Sequence, residues 1–354
     1  MNRRMLLGLA VVTTVGVAPA LAGCNRDSPA AGGGGATAPI VGVDYPRSDT
    51  DFWNSYIRYV PESARALGVE LKTTNSQNDV ATLISNVQTF VSQGVKAVVM
   101  APQDTAAIAP SLEQLAAKKI PVVTIDTRPD TGSVAMVVRA DNRAYGTKAC
   151  QFLGAKLGGK GKVVMLQGDL ASINGRDRTE AFNDCMKKDF PGIKVFGEVT
   201  DWKGDVAASK LQTRLASDPD LKGVYMQSSF ALSGTKQVLK QKGLLVPPGD
   251  PKHVFIVSND GIPEELKDIK AGLIDATVSQ PADLYAKYGL FYAKAAIDGK
   301  TFQPGPTDHD STIIKVRDGL LEDQLSAPLV TADGATIGGE KTAKYDDKSL
   351  WGTS

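Results

Sequence analysis

Polar side chains suited to binding hydroxyl groups follow several apolar segments of this 354-residue chain. Asp126 comes directly after an apolar run that ends at Ile125, and Asp260 and Gln280 follow two later runs. A carboxylate accepts hydrogen bonds from hydroxyl groups, and an amide both donates and accepts them. We therefore predict a site that binds a small, neutral, hydroxyl-rich solute through hydrogen bonds.

Further polar residues occupy the same kind of position, at the end of a predicted strand. They are Asp44, Gln167, Asp201, Gln227 and Ser228. A sugar or polyol also presents C–H groups that pack against aromatic rings, and Phe52, Trp53 and Trp202 are the aromatic candidates for that contact. For any single polar residue a cap or a turn is an equal alternative, so the prediction depends on the whole set.

A catalytic use of the same carboxylates is the main alternative. Asp126 and Asp260 could act as the acid pair of a glycoside hydrolase. The chain has no Gly-x-Ser-x-Gly elbow, no phosphate-binding P-loop and no His-Glu metal helix, and its two histidines, His253 and His309, lie far apart. The sequence therefore predicts a binding protein that uses no metal and no cofactor, rather than an enzyme.

The elements that must position these side chains alternate between short apolar strands and amphipathic helices. Residues 52–67 carry apolar residues at helical spacing and end at Gly68, whereas residues 97–100 form a continuous apolar strand. Such alternation predicts an α/β fold with parallel sheets and right-handed crossovers. The number of repeats predicts two doubly wound lobes, and ligands bind at the carboxyl ends of the strands in such sheets.

The N-terminal residues predict export and a lipid anchor. Two arginines precede an apolar run over residues 5–17, and Leu21-Ala22-Gly23-Cys24 matches the bacterial lipobox. We predict a signal peptide over residues 1–23, a lipid on Cys24, and a flexible tether, rich in Gly and Ala, over residues 24–39. The protein would then lie on the outer face of the cytoplasmic membrane, or on its periplasmic side. An ordinary signal peptide with a chance cysteine is the alternative.

The balance of charge narrows the classes of partner that the protein could bind. Lys and Arg total 40 against 39 Asp and Glu, which argues against nucleic acid or a strongly anionic ligand as the partner.

Besides Cys24, the chain contains only Cys150 and Cys185. Export permits a disulfide between them, and two buried free thiols are an equal alternative.

Several fragments, in this order and spacing, closely resemble the ribose-type periplasmic binding proteins, the sugar receptors of ABC importers. The fragments are SQGVKAVVMAP (92–102), IPVVTID (120–126), ADN (140–142), GGKGKVV (158–164), RDRTEAF (176–182), NDG (259–261) and ATVSQP (276–281). The resemblance covers residues 40–311 and implies the type I periplasmic binding protein fold, with two lobes joined by a three-crossover hinge. It also implies a monomer whose partners are an ABC permease and its ATPase.

The resemblance implies a set of ligand-binding residues. They are Phe52, Trp53, Asp126, Arg176, Trp202, Asp260 and Gln280. Three positions depart from the ribose receptor, because Thr127 replaces an arginine, Ser228 an asparagine and Asn259 an aromatic residue. The lost donors argue against ribose itself. Arg139 and Asn174 are candidate replacements, with a surface charge and a helix cap as their alternative roles, and another pentose, a hexose or a sugar alcohol would fit.

The family's three crossings between lobes match places near Ala140, Gln280 and His309. They predict an N-terminal lobe of residues 40–140 and 281–308, and a C-terminal lobe of residues 141–280 and 309–316. Residues 317–354 form a C-terminal extension that either straps the lobes or is disordered. The predicted function is capture of a monosaccharide or sugar alcohol by lobe closure and its delivery to an ABC importer. A sensory receptor of the same fold, which signals to a membrane partner, is the alternative.

Overall fold

The architecture is that of a computed structural model, which describes residues 38–353. The predicted signal peptide, Cys24 and nearly all of the predicted tether lie outside the described residues. Within the described part of the chain, no helix is long and apolar enough to cross a membrane.

Helices and strands alternate along the chain, as the sequence pattern predicts. The helices of this region are α1 (Asp51–Leu67), α2 (Val80–Ser92), α3 (Ala109–Ala117), α4 (Asn142–Lys156), α5 (Ile173–Asp189), α6 (Gly204–Ser217), α7 (Leu232–Gln241), α8 (Pro263–Ala271) and α9 (Ala282–Ile297). Local signals fix their ends. The side chain of Thr50 accepts a hydrogen bond from the backbone N–H of Trp53 at 3.4 Å, and Gly68 ends α1 with a φ of 64°.

Most of the strands lie in two sheets. They are β1 (Ile40–Tyr45), β2 (Glu70–Asn75), β3 (Ala97–Met100), β4 (Val122–Ile125), β5 (Met136–Ala140), β6 (Lys160–Gln167), β7 (Gly192–Val199), β8 (Gly223–Met226), β9 (Phe255–Asp260), β10 (Ala276–Ser279), β11 (Gly305–Pro306), β12 (Thr312–Arg317), β13 (Leu320–Leu325), β14 (Leu329–Thr331), β15 (Thr336–Ile337), β16 (Glu340–Lys341) and β17 (Ala343–Lys344). β15 and β16 pair only with each other.

The two large sheets define two lobes. The sheet of the N-terminal lobe has the order β11-β12-β13-β5-β4-β3-β1-β2, and that of the C-terminal lobe has the order β17-β14-β10-β9-β8-β6-β7. The central strands of both sheets are parallel, and strands such as β3 and β4 are buried along their whole length because helices cover both faces. The predicted α/β class with two doubly wound lobes is confirmed.

One predicted lobe assignment is wrong. Residues 309–316, which the sequence places in the C-terminal lobe, instead contribute β12 to the N-terminal sheet. β12 pairs with β13, and β13 pairs in parallel with β5, which the apolar pattern does not reveal as a strand. Without β13, the edge of β5 would expose unpaired backbone N–H and C=O groups. The later segment that forms β13 satisfies these groups by pairing with β5. The chain therefore passes to the C-terminal sheet between β13 and β14.

The C-terminal extension is ordered over its described part. β13 lies in one sheet, and β14 and β17 lie in the other, so of the two alternatives it is the strap between lobes that the strand pairing supports. β14 runs antiparallel to β10. Trp351, near the end of the chain, is buried.

A disulfide joins Cys150 of α4 to Cys185 of α5, so the free-thiol alternative is not what the structure contains. The two cysteines are 35 residues apart in the chain, and loop-closure entropy for a loop of that length gives about 3–4 kcal/mol.

We therefore expect reduction of the wild-type protein to lower the free energy of unfolding in urea by about 3–4 kcal/mol. The double variant C150A/C185A serves as the control, because a reductant should leave its unfolding curve unchanged. An unfolding curve that does not move when mass spectrometry shows the bond to be reduced would contradict this expectation.

Candidate functional site

A cavity lies between the lobes, where the carboxyl ends of the strands of both sheets face each other. Its empty volume, part of which opens to solvent, is about 410 Å³. The predicted residues that line it are Phe52, Trp53, Asp126, Asn174, Trp202, Ser228, Asp260 and Gln280. Most of the predicted set thus comes together from both lobes.

A hydrogen-bonded relay crosses the cavity from one lobe to the other. The Gln280 Nε2 atom donates to Asp126 Oδ1 at 3.1 Å, and Arg178 Nη2 donates to Gln280 Oε1 at 2.7 Å. All three residues are almost completely buried. Asp126 follows β4 of the N-terminal lobe, whereas Gln280 follows β10 of the C-terminal lobe, so the relay ties the closed lobes together at the ligand site.

Burial sets the protonation of Asp126. The pKa of Asp126 is raised to about 6, mainly because burial removes the carboxylate from water. Arg178 and Arg139 lower this pKa, and the nearby Asp260 carboxylate contributes to raising it. The carboxylate form of Asp126 is therefore costly in the ligand-free site. A ligand that donates hydroxyl hydrogen bonds to Asp126 would offset that cost.

Asp260 is held by donors from the neighbouring strand end. Its Oδ2 atom accepts hydrogen bonds from Ser228 Oγ at 2.6 Å, from Ser229 Oγ at 2.6 Å and from the Ser229 backbone N–H at 2.8 Å. Burial raises the pKa of Asp260 in spite of these donors. The geometry fixes one carboxylate oxygen of Asp260 and thereby orients the group at the cavity wall.

Aromatic rings form the walls of the cavity. Phe52 and Trp53 lie in the first turn of α1 and pack edge to face with their centroids 5.1 Å apart. On the opposite lobe, Trp202 packs edge to face against Phe230 at 5.8 Å. A Cβ atom on Gly168 would lie 2.0 Å from the Trp202 ring, so only glycine at that position allows the ring its place.

The indole N–H of Trp202 is a candidate ligand donor. It is buried and has no hydrogen-bond partner among residues 38–353, whereas buried donors are normally paired. Trp202 lines the cavity, so its ring and its N–H can both contribute to ligand binding.

The structure places Arg176, one of the predicted ligand residues, outside the lining of the cavity. Its guanidinium lies at the rim, where Nη2 contacts Asp130 Oδ1 at 2.5 Å and Thr105 Oγ1 at 3.2 Å across the lobes. Arg178, two residues later, lines the cavity instead. Residues two apart on a helix face nearly opposite directions, so only one arginine of the Arg-Asp-Arg motif can reach the ligand.

Arg178 is held in place by its surroundings. Its Nε atom donates to Asn142 Oδ1 at 2.7 Å, and its Nη1 atom donates to the Gln227 carbonyl. The guanidinium also lies over the rings of Tyr145 at 4.7 Å and Trp202 at 5.7 Å. The cation is thereby oriented before any ligand enters.

Arg139 and Asn259, two other predicted ligand residues, lie behind the cavity rather than on its wall. Arg139 is buried and donates to Asn174 Oδ1 at 2.8 Å and to Asp177 Oδ2 at 2.6 Å, so it orients Asn174, and its alternative role as a surface charge is also wrong. Asn259 donates to the Tyr225 hydroxyl at 3.1 Å and supports the strand beneath the site. Both residues act through others because their side chains point into the core.

Sequence reasoning missed part of the cavity lining. The missed residues are Arg47, Thr50, Gln103, Arg178 and Phe230. Arg47 closes the mouth, since its Nη1 atom donates to the Trp202 carbonyl of the other lobe at 3.2 Å while its guanidinium pairs with Asp49. Arg178 was visible in the same motif as Arg176, whereas Arg47 lies in a loop that carries no periodic signal.

Among residues 38–353, no group of three or more His, Cys, Asp or Glu side chains is placed to hold a metal ion. The site consists of hydrogen-bonding groups and aromatic rings.

Comparison with known proteins places the chain in a family. A family model described as "Periplasmic binding protein domain" matches residues 41–301. A xylitol-binding protein of Mycolicibacterium smegmatis is 31% identical over 245 residues, which cover 69% of this chain and 68% of that protein. The ribose import binding protein of Bacillus subtilis is 26% identical over 263 residues, which cover 74% of this chain and 83% of that protein.

A solved structure has the same architecture. The ABC transporter solute binding protein of Mycobacterium smegmatis with bound glycerol has a TM-score of 0.73 and 25% sequence identity, covering 86% of this chain and 99% of that one. The similarity extends over both lobes.

The burial of Asp126 generates a stability prediction. Its pKa is raised in the folded protein, so the folded state binds the proton more tightly than the unfolded state, and stability falls as the pH rises from about 4 to about 6. We expect Asp126→Asn to remove this decrease in the free energy of unfolding, which is about 3 kcal/mol at most. The melting temperature of the variant at pH 7 should therefore equal or exceed that of the wild type.

The control is Asp346→Asn, which changes an exposed carboxylate. Thermal unfolding between pH 4 and pH 8 measures both variants. A melting temperature for Asp126→Asn that is lower than that of the wild type at every pH would contradict the assigned cost.

Proposed function

The chain belongs to the ribose-type family of periplasmic binding proteins, and from this premise we propose that it captures a monosaccharide or sugar alcohol between its lobes for delivery to an ABC importer. Members of the family are substrate-binding proteins and not enzymes. Asp126 and Asp260 then serve as hydrogen-bond acceptors, and the hydrolase interpretation is set aside.

The observation that carries the proposal is the relay of Arg178, Gln280 and Asp126 beneath an aromatic wall. It offers a cationic donor, an amide and a carboxylate within one buried cavity. This mixture suits vicinal hydroxyl groups, each of which donates one hydrogen bond and accepts others. An apolar ligand would leave the buried indole N–H of Trp202 without a partner, at a cost of about 1–3 kcal/mol.

The class of ligand follows from the side chains that line the cavity. They are hydrogen-bonding groups and aromatic rings, which together suit a hydroxyl-rich molecule. Thr127, which stands where the ribose receptors have an arginine, is buried and lies outside the cavity lining. We therefore propose a sugar alcohol or a pentose other than ribose, a choice supported by the name of the xylitol-binding relative.

Lobe closure is proposed as the mode of capture. The contacts that cross between lobes around the cavity include Gln280 with Asp126, Arg176 with Asp130, and Arg47 with the Trp202 carbonyl. A ligand that adds contacts to both walls would favour the closed state by its differential affinity for that state. Lipid attachment at Cys24 remains part of the proposal, since a tethered receptor would stay near its permease.

Two arginines of one motif provide a matched test by calorimetry over a panel of pentoses, hexoses and sugar alcohols. We expect a panel ligand to bind the wild type, Arg178→Lys to lower its affinity at least about tenfold, and Arg176→Ala to lower it less than about fivefold. The difference follows because a hydrogen bond to a charged group contributes about 1.5–3 kcal/mol, whereas an exposed ion pair contributes about 0–1 kcal/mol.

Thermal unfolding of both variants controls for loss of fold. An equal loss of affinity in the two variants would show that the ligand site is wrongly assigned. A wild type that binds no member of the panel would overturn the proposed ligand class.

The pKa of Asp126 also predicts a pH dependence of binding. Hydroxyl donors prefer the carboxylate, so the ligand should lower the raised pKa of Asp126, which is about 6 in the free protein. Affinity should be constant above pH 7 and should fall as the pH drops below about 6, by up to tenfold per pH unit.

Titration calorimetry at several pH values measures this dependence, and it should be absent from any residual binding by Asp126→Asn. Affinity that rises on acidification, or that stays constant down to pH 4.5, would remove Asp126 from the ligand contacts.

A further inference from the structure

The end of the C-terminal extension lies next to the ligand cavity. Trp351 and Gly352 are buried in a short 3-10 helix, Trp351–Thr353, which packs against α8 of the C-terminal lobe. Neither residue lines the cavity, yet each contacts a neighbour of the site. The contacts reach both lobes.

On the side of the N-terminal lobe, Trp351 packs against Phe52. The two ring centroids are 5.9 Å apart at an interplanar angle of 77°, an edge-to-face arrangement. Phe52 also packs edge to face against Trp53 at 5.1 Å and Tyr285 at 6.2 Å. One of the three rings that hold Phe52, a residue of the cavity wall, therefore comes from the extension.

On the side of the C-terminal lobe, Trp351 binds the backbone of Asp260. Its Nε1 atom donates to the Asp260 carbonyl at 3.1 Å, and the same carbonyl accepts the backbone N–H of Gln280 at 2.9 Å. A Cβ atom on Gly352 would lie 2.1 Å from the Gly261 carbonyl, so glycine permits this close approach. Asp260 adopts a φ of 113°, a backbone conformation that needs support from its surroundings.

We propose that Trp351 is a positioning residue for the ligand site, which ties Phe52 of one lobe to Asp260 of the other when the lobes are closed. The inference rests on the proposed function, because it assigns Trp351 a role in retaining the captured ligand. Opening of the lobes must separate Trp351 from at least one of its two partners. Removal of the indole therefore destabilises the closed state and speeds ligand release.

The test compares the full chain with the variants Trp351→Phe, Trp351→Ala and Gly352→Ala, by stopped-flow measurement of a sugar or sugar alcohol that binds the wild type. We expect the dissociation rate constant to rise about tenfold in Trp351→Ala and about threefold in Trp351→Phe, which keeps the ring contact but loses the hydrogen bond. Gly352→Ala should resemble Trp351→Ala. The association rate constant should change less than twofold.

Tyr345→Ala is the matched control, because Tyr345 is a half-buried aromatic of the same extension that packs on the core. Its ligand kinetics should equal those of the wild type. A dissociation rate constant in Trp351→Ala within twofold of the wild-type value would overturn the proposal.

Hydrogen exchange in ligand-free protein separates this inference from the proposed function. Loss of the tie should speed amide exchange at least threefold over residues 51–56 or 261–266 in Trp351→Ala, and Tyr345→Ala should leave both segments unchanged. If exchange is faster in Trp351→Ala but the wild type binds no sugar or sugar alcohol, the proposed function is contradicted and the structural role of Trp351 is supported. If Trp351→Ala shows unchanged exchange and the ligand kinetics of the wild type, the positioning role of Trp351 is overturned and the proposed function is unaffected.

Discussion

The hydrogen-bonded relay from Arg178 through Gln280 to Asp126 is the interaction on which the rest of the site depends. It removes a guanidinium and a carboxylate from water, a cost that is offset only if their hydrogen-bonding groups are satisfied. Gln280 provides the link, because its amide oxygen accepts from Arg178 and its amide nitrogen donates to Asp126. Since Asp126 and Gln280 come from different lobes, the relay is complete only when the lobes are closed.

The fold places these groups around one cleft and prevents the cavity from collapsing. Parallel sheets in both lobes deliver their strand ends to a common cleft, and covered faces keep the strands rigid. Positive φ angles occur at three cavity residues, Asp126 (61°), Trp202 (57°) and Asp260 (113°). Such conformations are strained for residues other than glycine and persist where the surrounding structure holds them.

The features that the sequence predicted are those with a local or periodic signal. Alternating apolar runs and helix-ending glycines gave the two lobes, and a polar residue directly after an apolar run gave Asp126, Asp260 and Gln280. The prediction of Arg176 rests on the family resemblance, and the weak apolar pattern of α5 does not show which arginine of the Arg-Asp-Arg motif faces the cavity. The loop position of Arg47 and the aperiodic extension that carries Trp351 have no local signal, because their roles arise only from tertiary packing.

The central claim is that this cleft closes on a neutral, hydroxyl-rich molecule of one sugar unit. Native mass spectrometry of the protein, purified from cells without unfolding, tests it most directly because a closed cleft retains its ligand. We expect an adduct with the mass of a monosaccharide or sugar alcohol, which is lost when the protein unfolds. A retained amino acid, peptide or phosphorylated compound would contradict it.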